Sequence, residues 1–222
     1  GGTKLSFIVG NPEDFPPVPR TPEGPAADVD GNALLRALRS SMRYTAQERL
    51  LVLMRGEVLV QTAADLSATP RPFRMQTPHG QLQAMGTRFA VRLLDATSRI
   101  AVEEGAVRVS PKALPQDSRV VAAGQQATYG PSKVVAAVPL RRDALDWAQG
   151  VLNVQAVPLG EVVAELARYR PGIMRCDPGV ASIPVSGVFR LDDIDKALRL
   201  LQETFPVQIH SRSRYWTVVA PR

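Results

Sequence analysis

Apolar and polar positions follow two regimes along this chain. From Gly31 to about Val138, apolar residues alternate with polar ones in short runs broken by glycine. LLVLMRGEVLVQTA (50–63) has two apolar arms around Arg55-Gly56, and FRMQTPHGQLQAMGTRFAVRLL (73–94) has arms around His79-Gly80 and again near Gly86. RIAVEEGAVRVSP (99–111) turns at Glu104-Gly105, and RVVAAGQQATYG (119–130) at Gly124. Alternation of period two predicts half-buried strands, and polar-Gly breaks predict hairpins. Glycine suits such points because it takes positive φ without a Cβ clash. Gly56, Gly80, Gly105 and Gly124 recur at intervals of 24, 25 and 19 residues. The expectation is an all-β domain of antiparallel hairpins, stacked as a sandwich or a solenoid-like sheet stack. ALLRALRSS (33–41) fits a short helix or a strand about equally.

The pattern changes at Val151. From there to His210 one unit is written twice: an alternating run, a helix-period run, a Pro, and a short second strand. Leu159, Val162, Leu166 and Tyr169 of the first copy precede Leu191, Ile194, Leu198 and Leu201 of the second by 32 residues. In the second helix Ile194, Ala197, Leu198, Leu201 and Phe205 share one face. Asp192 is the expected N-cap, Asp193 and Asp195 suit the positive helix start, and Pro206 ends it. The first helix begins at Pro158 and stops before Pro171-Gly172. VQIHSRS and RYWTVVA read as two closing strands. The expectation is a small α+β domain of two βαβ repeats.

These regimes set the domain expectations: an irregular lead over 1–29, an all-β domain over 30–140, a connector over 141–150, and the α+β domain over 151–222. LSFIV in the lead has strand character, while EDFPPVPRTPEGPAADVDG is proline-rich and aperiodic, as an extended or disordered segment is. In the connector PLRRDALDWAQG, Trp147 is the one large aromatic, and such a residue is expected to anchor one module on another.

Composition adds little chemistry. Lys and Arg number 27 against 21 Asp and Glu, a formal charge of +6. The basic residues are mostly scattered Arg, as on a solvated surface, so a nucleic-acid partner is the weaker reading. Cys176 is the single cysteine, so no internal disulfide forms, and at the end of a predicted strand it reads as a small buried hydrophobe. No apolar run reaches membrane-spanning length. His79 and His210 stand apart, so no metal-ligand set is present and no cofactor is expected. Glu103-Glu104 flank a turn glycine and Asp192-Asp193 lie at a helix start, which accounts for both carboxylate pairs without acid–base chemistry. There is no GxSxG, Walker or GxGxxG pattern. RYRPG and HSRSRYW mix Arg with aromatics in the manner of single-strand nucleic-acid binders, but the helix or strand period assigns Tyr169 and Trp216 to the core. No catalytic residue is expected.

HGQLQAMGTRFAVRLL, VEEGAVRVSP and AGQQATYG, with LLVLMRGEVLV ahead of them, resemble the FecR family of transmembrane sigma-factor regulators. The likeness runs in order over about residues 30 to 220, with the doubled unit similar to the secretin and TonB short N-terminal (STN) domain. The resemblance implies the periplasmic region of a single-pass inner-membrane protein, without its cytoplasmic anti-sigma portion. It implies a part in siderophore and iron cell-surface signalling, with the signalling domain of a TonB-dependent outer-membrane receptor as partner. It further implies an extracytoplasmic-function sigma factor and a periplasmic or membrane protease as partners of the full protein. A secretin-type assembly scaffold is the alternative, and a basic nucleic-acid-binding module the weaker one.

A small α+β module has sheet edges, and an edge can accept a strand from a partner. The candidate edges are VSGVF (185–189) and RYWTVV (214–219). The candidate partner-binding residues are therefore Val185, Val188, Phe189, Arg214, Tyr215, Trp216 and Val218.

Overall fold

The structure is a computed structural model. It describes residues 5–8, 41–45, 49–62, 72–84, 86–213 and 215–222, with backbone alone for 5–8 and 41–45. The chain divides into two compact units, Gly1–Ala144 and Leu145–Arg222. The proline-rich lead and the ALLRALRSS stretch fall almost entirely outside the described residues; LSFI, within the stretch expected to be an irregular lead, is a strand.

The described part of unit one is all β, as the alternation predicts. Its strands are β1 Leu5–Ile8, β2 Ser41–Thr45, β3 Leu50–Arg55, β4 Glu57–Thr62, β5 Phe73–Thr77, β6 Gly80–Ala84, β7 Arg88–Leu93, β8 Ser98–Glu104, β9 Ala106–Pro111, β10 Arg119–Ala122, β11 Gln125–Tyr129 and β12 Val138–Pro139. Among the described residues they form two six-stranded sheets. One has the order β1-β4-β7-β8-β11-β12, the other β10-β9-β6-β5-β3-β2. Every second residue points into a shared core: Leu51 and Leu53 on β3, Val58 and Val60 on β4, Phe89 and Val91 on β7, Val107 and Val109 on β9. Phe73 and Phe89 meet edge-to-face at 6.4 Å, which joins the two sheets across that core.

The glycine breaks divide into two kinds. Pro78-His79 closes a hairpin in which Thr77 pairs with Gly80. Gly56 and Gly105 do not close hairpins: β3 and β4 lie in different sheets, and so do β8 and β9. A single residue between two strands is too short to return the chain beside itself, since hairpins need two or more loop residues. Instead one left-handed glycine (Gly56 φ 86°, Gly105 φ 76°) bends the strand out of one sheet and into the other. Gly86 and Gly124 mark the same kind of passage, β6 to β7 and β10 to β11. At Gly124 the N–H bonds to Val102 O and the carbonyl accepts from Leu140, so the turn is drawn into the sheet that β11 joins. The inward residues on both sides of each corner, Val102 and Val107 for example, stay in the core.

A buried polar network crosses the same core. Tyr129 is fully buried, and its hydroxyl lies 3.3 Å from Thr77 Oγ1 on the opposite sheet. Thr77 Oγ1 donates to Gly80 O and accepts from the N–H groups of His79 and Gly80. His79 Nδ1 lies 2.8 Å from Ser98 Oγ on β8. His79 is thus not the isolated turn residue that the sequence suggests; it is buried and ties the hairpin to the facing sheet.

Unit two holds the doubled pattern. After a short 3-10 turn, Asp146–Gln149, come β13 Val151–Pro158, α1 Leu159–Leu166, a 3-10 turn Ala167–Tyr169, β14 Ile173–Cys176, β15 Pro184–Arg190, α2 Ile194–Thr204, β16 Val207–Ser213 and β17 Trp216–Pro221. Each copy runs strand, helix, strand, but sends its two strands to different sheets. The leading strands pair with each other, β13 against β15, antiparallel. The trailing strands β14 and β16 flank β17, parallel and antiparallel respectively. Most of the predicted core faces hold: Leu159, Val162, Leu166, Ile194, Leu198 and Leu201 are buried, while Tyr169 and Phe205, at the ends of the two faces, are half-buried.

The second helix caps one residue later than expected. Asp193 accepts from the Lys196 N–H, while Asp192 turns back to the Arg190 guanidinium. Gly172 holds the entry to β14: its φ is 101°, and a Cβ there would stand 2.3 Å from Tyr215 O.

Candidate docking surfaces of the C-terminal unit

Of the residues proposed from sequence for partner binding, the structure separates buried from presented. Val185 and Phe189 are buried on the inner side of β15, so their side chains belong to the packing of the unit. Val188, on the other face of the same strand, is 60% exposed. Tyr215 is 48% exposed, and Trp216 and Val218 are half-buried. Arg214 lies outside the described residues. Trp147 is buried in the 3-10 turn that opens unit two, and its indole Nε1 makes no hydrogen bond among the described residues.

Pairing corrects one of the two candidate edges. β17 is the middle strand of its sheet, with β14 on one side and β16 on the other, so its backbone has no free side for a partner strand. The order was hidden because β14, forty residues upstream, is what covers it. β16 is a true edge, yet α2 blunts it. The outward N–H of Ile209 donates to Gln202 Oε1 at 2.8 Å, which removes a donor from that edge.

β15 is different. Among the described residues it belongs to a two-stranded sheet and pairs with β13 alone. Leu191 N–H bonds to Gly150 O, and the register runs Leu152 to Phe189 and Asn153 to Val188. In an antiparallel pair the hydrogen-bonded positions alternate. Val188 and Arg190 therefore turn their N–H and C=O away from β13. Opposite, β13 carries a bulge between Val154 and Val157, where Ala156 takes φ 52° and its N–H donates to Ser186 Oγ at 2.8 Å. Among the described residues, the free side of β15 thus presents unpaired backbone around a large exposed apolar side chain.

The three-stranded sheet presents a face. Thr217, Val219 and Val207 are buried on its inner side. The register sets Ile173, Arg175, Trp216, Val218 and His210 on the other side. There the Arg175 guanidinium lies over the Trp216 ring, 5.6 Å from its centroid. Trp216 is thus not a core residue, because its register places it on the open face. Behind the sheet, Arg170 bonds Thr217 Oγ1 at 2.8 Å and pairs with Asp195 at 3.2 Å, so β17 is tied to α2.

Neither surface carries reactive groups in a catalytic arrangement. Burial and the neighbouring Asp177 carboxylate push the Cys176 thiol up, which keeps it protonated at neutral pH. Among the described residues no cluster of three His, Cys, Asp or Glu side chains could hold a metal ion. No helix among them is long and apolar enough to cross a membrane.

Comparison with known proteins bears on both units. Residues 23–108 match the family described as FecR protein. This stretch is similar to a FecR region. It lies wholly within unit one and contains the corners at Gly56, Gly86 and Gly105. Two crystal structures of a candidate anti-sigma factor from Parabacteroides distasonis are similar over most of the chain. The first has a TM-score of 0.62 at 18% identity and covers 83% of this chain and 88% of its own. The second has a TM-score of 0.61 at 16% identity and covers 99% of this chain and all of its own. At such identity the likeness is one of fold. No curated protein matches the chain.

Proposed function

We propose that the chain is the signal-receiving part of a FecR-type anti-sigma-factor regulator, and that unit two is its docking module. The FecR region and the fold shared with the candidate anti-sigma factors support regulation of a sigma factor as the biological setting. In this reading the doubled unit is STN-like and lies in the periplasm, as part of a single-pass inner-membrane protein. It receives the signalling domain of a TonB-dependent, siderophore-loaded receptor. The release of an extracytoplasmic-function sigma factor, with a protease acting on the regulator, follows further along the same route. The chain works by being recognised and has no catalytic step.

The observation that carries the docking assignment is the free side of β15. A two-stranded sheet is marginal by itself, and a third strand would pair with the unused backbone at Val188 and Arg190. Main-chain hydrogen bonds would supply affinity, and the Val188 side chain would supply part of the selectivity.

Titration of the full chain with purified signalling domains of TonB-dependent receptors from the same genome tests this. One of them is expected to bind one-to-one with a Kd of about 10 μM or tighter, in the range of a transient interface. Val188→Lys is expected to weaken that complex about tenfold or more, since charge on an edge strand opposes pairing, while thermal unfolding is unchanged. If no signalling domain binds, or if the lysine variant binds as well as the native chain, the assignment fails.

A further inference from the structure

We infer that the open face of the β14-β17-β16 sheet is a second docking surface, built to take an extended peptide segment that carries a carboxylate between apolar residues. It is distinct from the β15 edge, lies in the other sheet, and stands whether or not that edge takes a strand.

Three observations support it. First, the β14 and β17 part of the face is apolar apart from Arg175. Ile173 is 49% exposed, Val218 and Trp216 are half-buried, and Tyr215 beside them is 48% exposed. Exposed aromatic and β-branched residues grouped on one sheet face mark interaction sites more often than scattered single ones do. Second, the charge has one sign. β14, β16 and β17 carry Arg175 and Arg212 and no Asp or Glu. Asp177, just past β14, is engaged with its own turn through the Gly179 N–H at 2.8 Å. Third, Arg175 is held in place without being neutralised. It stacks over Trp216 and has no carboxylate partner among the described residues.

A guanidinium fixed over an indole loses less side-chain freedom when it accepts a partner, and its planar fork matches a carboxylate through two parallel hydrogen bonds. The same stacking argues against a nucleobase. Arg175 already lies over the Trp216 ring, so a base stacking on that side would have to displace the guanidinium. The HSRSRYW motif therefore fits carboxylate recognition better than single-strand nucleic-acid binding.

The test uses the full chain and four probes. Two are fluorescein-labelled decapeptides, one alternating Glu with Val and one alternating Lys with Val. The others are an oligothymidylate and vesicles containing anionic phospholipid. The glutamate peptide is expected to bind saturably, and Arg175→Gln and Trp216→Ala are each expected to weaken it about fivefold or more, the scale of a desolvated cation–π or charge-assisted contact. Val188→Lys is expected to leave this binding unchanged, which separates this face from the β15 edge. The proposal is overturned if the glutamate peptide does not bind, or if Arg175→Gln binds it as the native chain does. It is equally overturned if Val188→Lys abolishes binding, or if the lysine peptide, the oligothymidylate or the vesicles bind more tightly than the glutamate peptide.

Discussion

At the scale of single residues, Tyr129 shows how much a buried polar group determines. Its hydroxyl is enclosed between the sheets, and burial pushes its pKa up to about 12 from the ordinary 10 despite hydrogen bonds from Thr77 and Ser98. The folded protein therefore holds the phenol proton to higher pH than the unfolded chain does. Stability from this group is complete below pH 10 and is lost as pH rises from about 10 towards 12. Denaturant unfolding across that window is expected to show up to about 3 kcal/mol of loss, at about 1.4 kcal/mol per pH unit. Tyr129→Phe is expected to remove that alkaline slope, even though the variant starts less stable because Thr77 loses a partner. Little of this was legible in the sequence. Tyr129 looks like any strand aromatic, and its partners Thr77 and Ser98 are 52 and 31 residues away. Trp216 went wrong for a related reason: period two says that alternate residues share a face, but not which face is buried. Only the position of α1 and α2 behind the sheet decides that.

At the scale of elements, the alternation located the strands well, because a half-buried strand must repeat every two residues whatever it pairs with. The connections were less legible. A hairpin and a corner both show an apolar run, a polar-Gly break and another run. Loop length decides only Gly56 and Gly105, where one residue is too short for a hairpin. Gly124 sits in a two-residue break like Pro78-His79 and still passes between sheets, so where the strand finds its partner decides the rest. The corners themselves differ in a way that can be measured. A Cβ on Gly105 would meet Thr87 Cγ2 at 2.7 Å and Gly86 O at 2.9 Å, whereas a Cβ on Gly124 meets nothing within 4 Å. Both glycines have φ near 75°. Gly124→Ala is therefore expected to cost only the left-handed strain, about 1 kcal/mol. Gly105→Ala is expected to cost about 3 kcal/mol or more, because the clash adds to the strain. Equal losses in chemical denaturation would contradict the close packing of the corners at Gly86 and Gly105.

At the scale of the whole molecule, the two units do different work. Unit one closes a sandwich core from both sheets, with the FecR region supplying most of its strands. Unit two divides its five described strands between two small sheets, and that division is what leaves edges and faces available. The doubled sequence pattern was legible because each copy must bury one face of its helix. The pairing that followed from it was not, since β13 pairs with β15 across the copies, and β14 and β16 both pair with β17, a strand outside either copy. That long-range choice makes β17 central, leaves β15 free on one side, and gives Val188 its exposure. The assignment of unit two as a receiver rests on that free side. Backbone amide hydrogen exchange, measured on the full chain alone and saturated with a cognate signalling domain, tests it most directly. Protection of the Val188 and Arg190 amides, absent in the free chain and gained in the complex, is the result expected from strand addition at β15. Unchanged exchange at both amides in a saturated complex would contradict it.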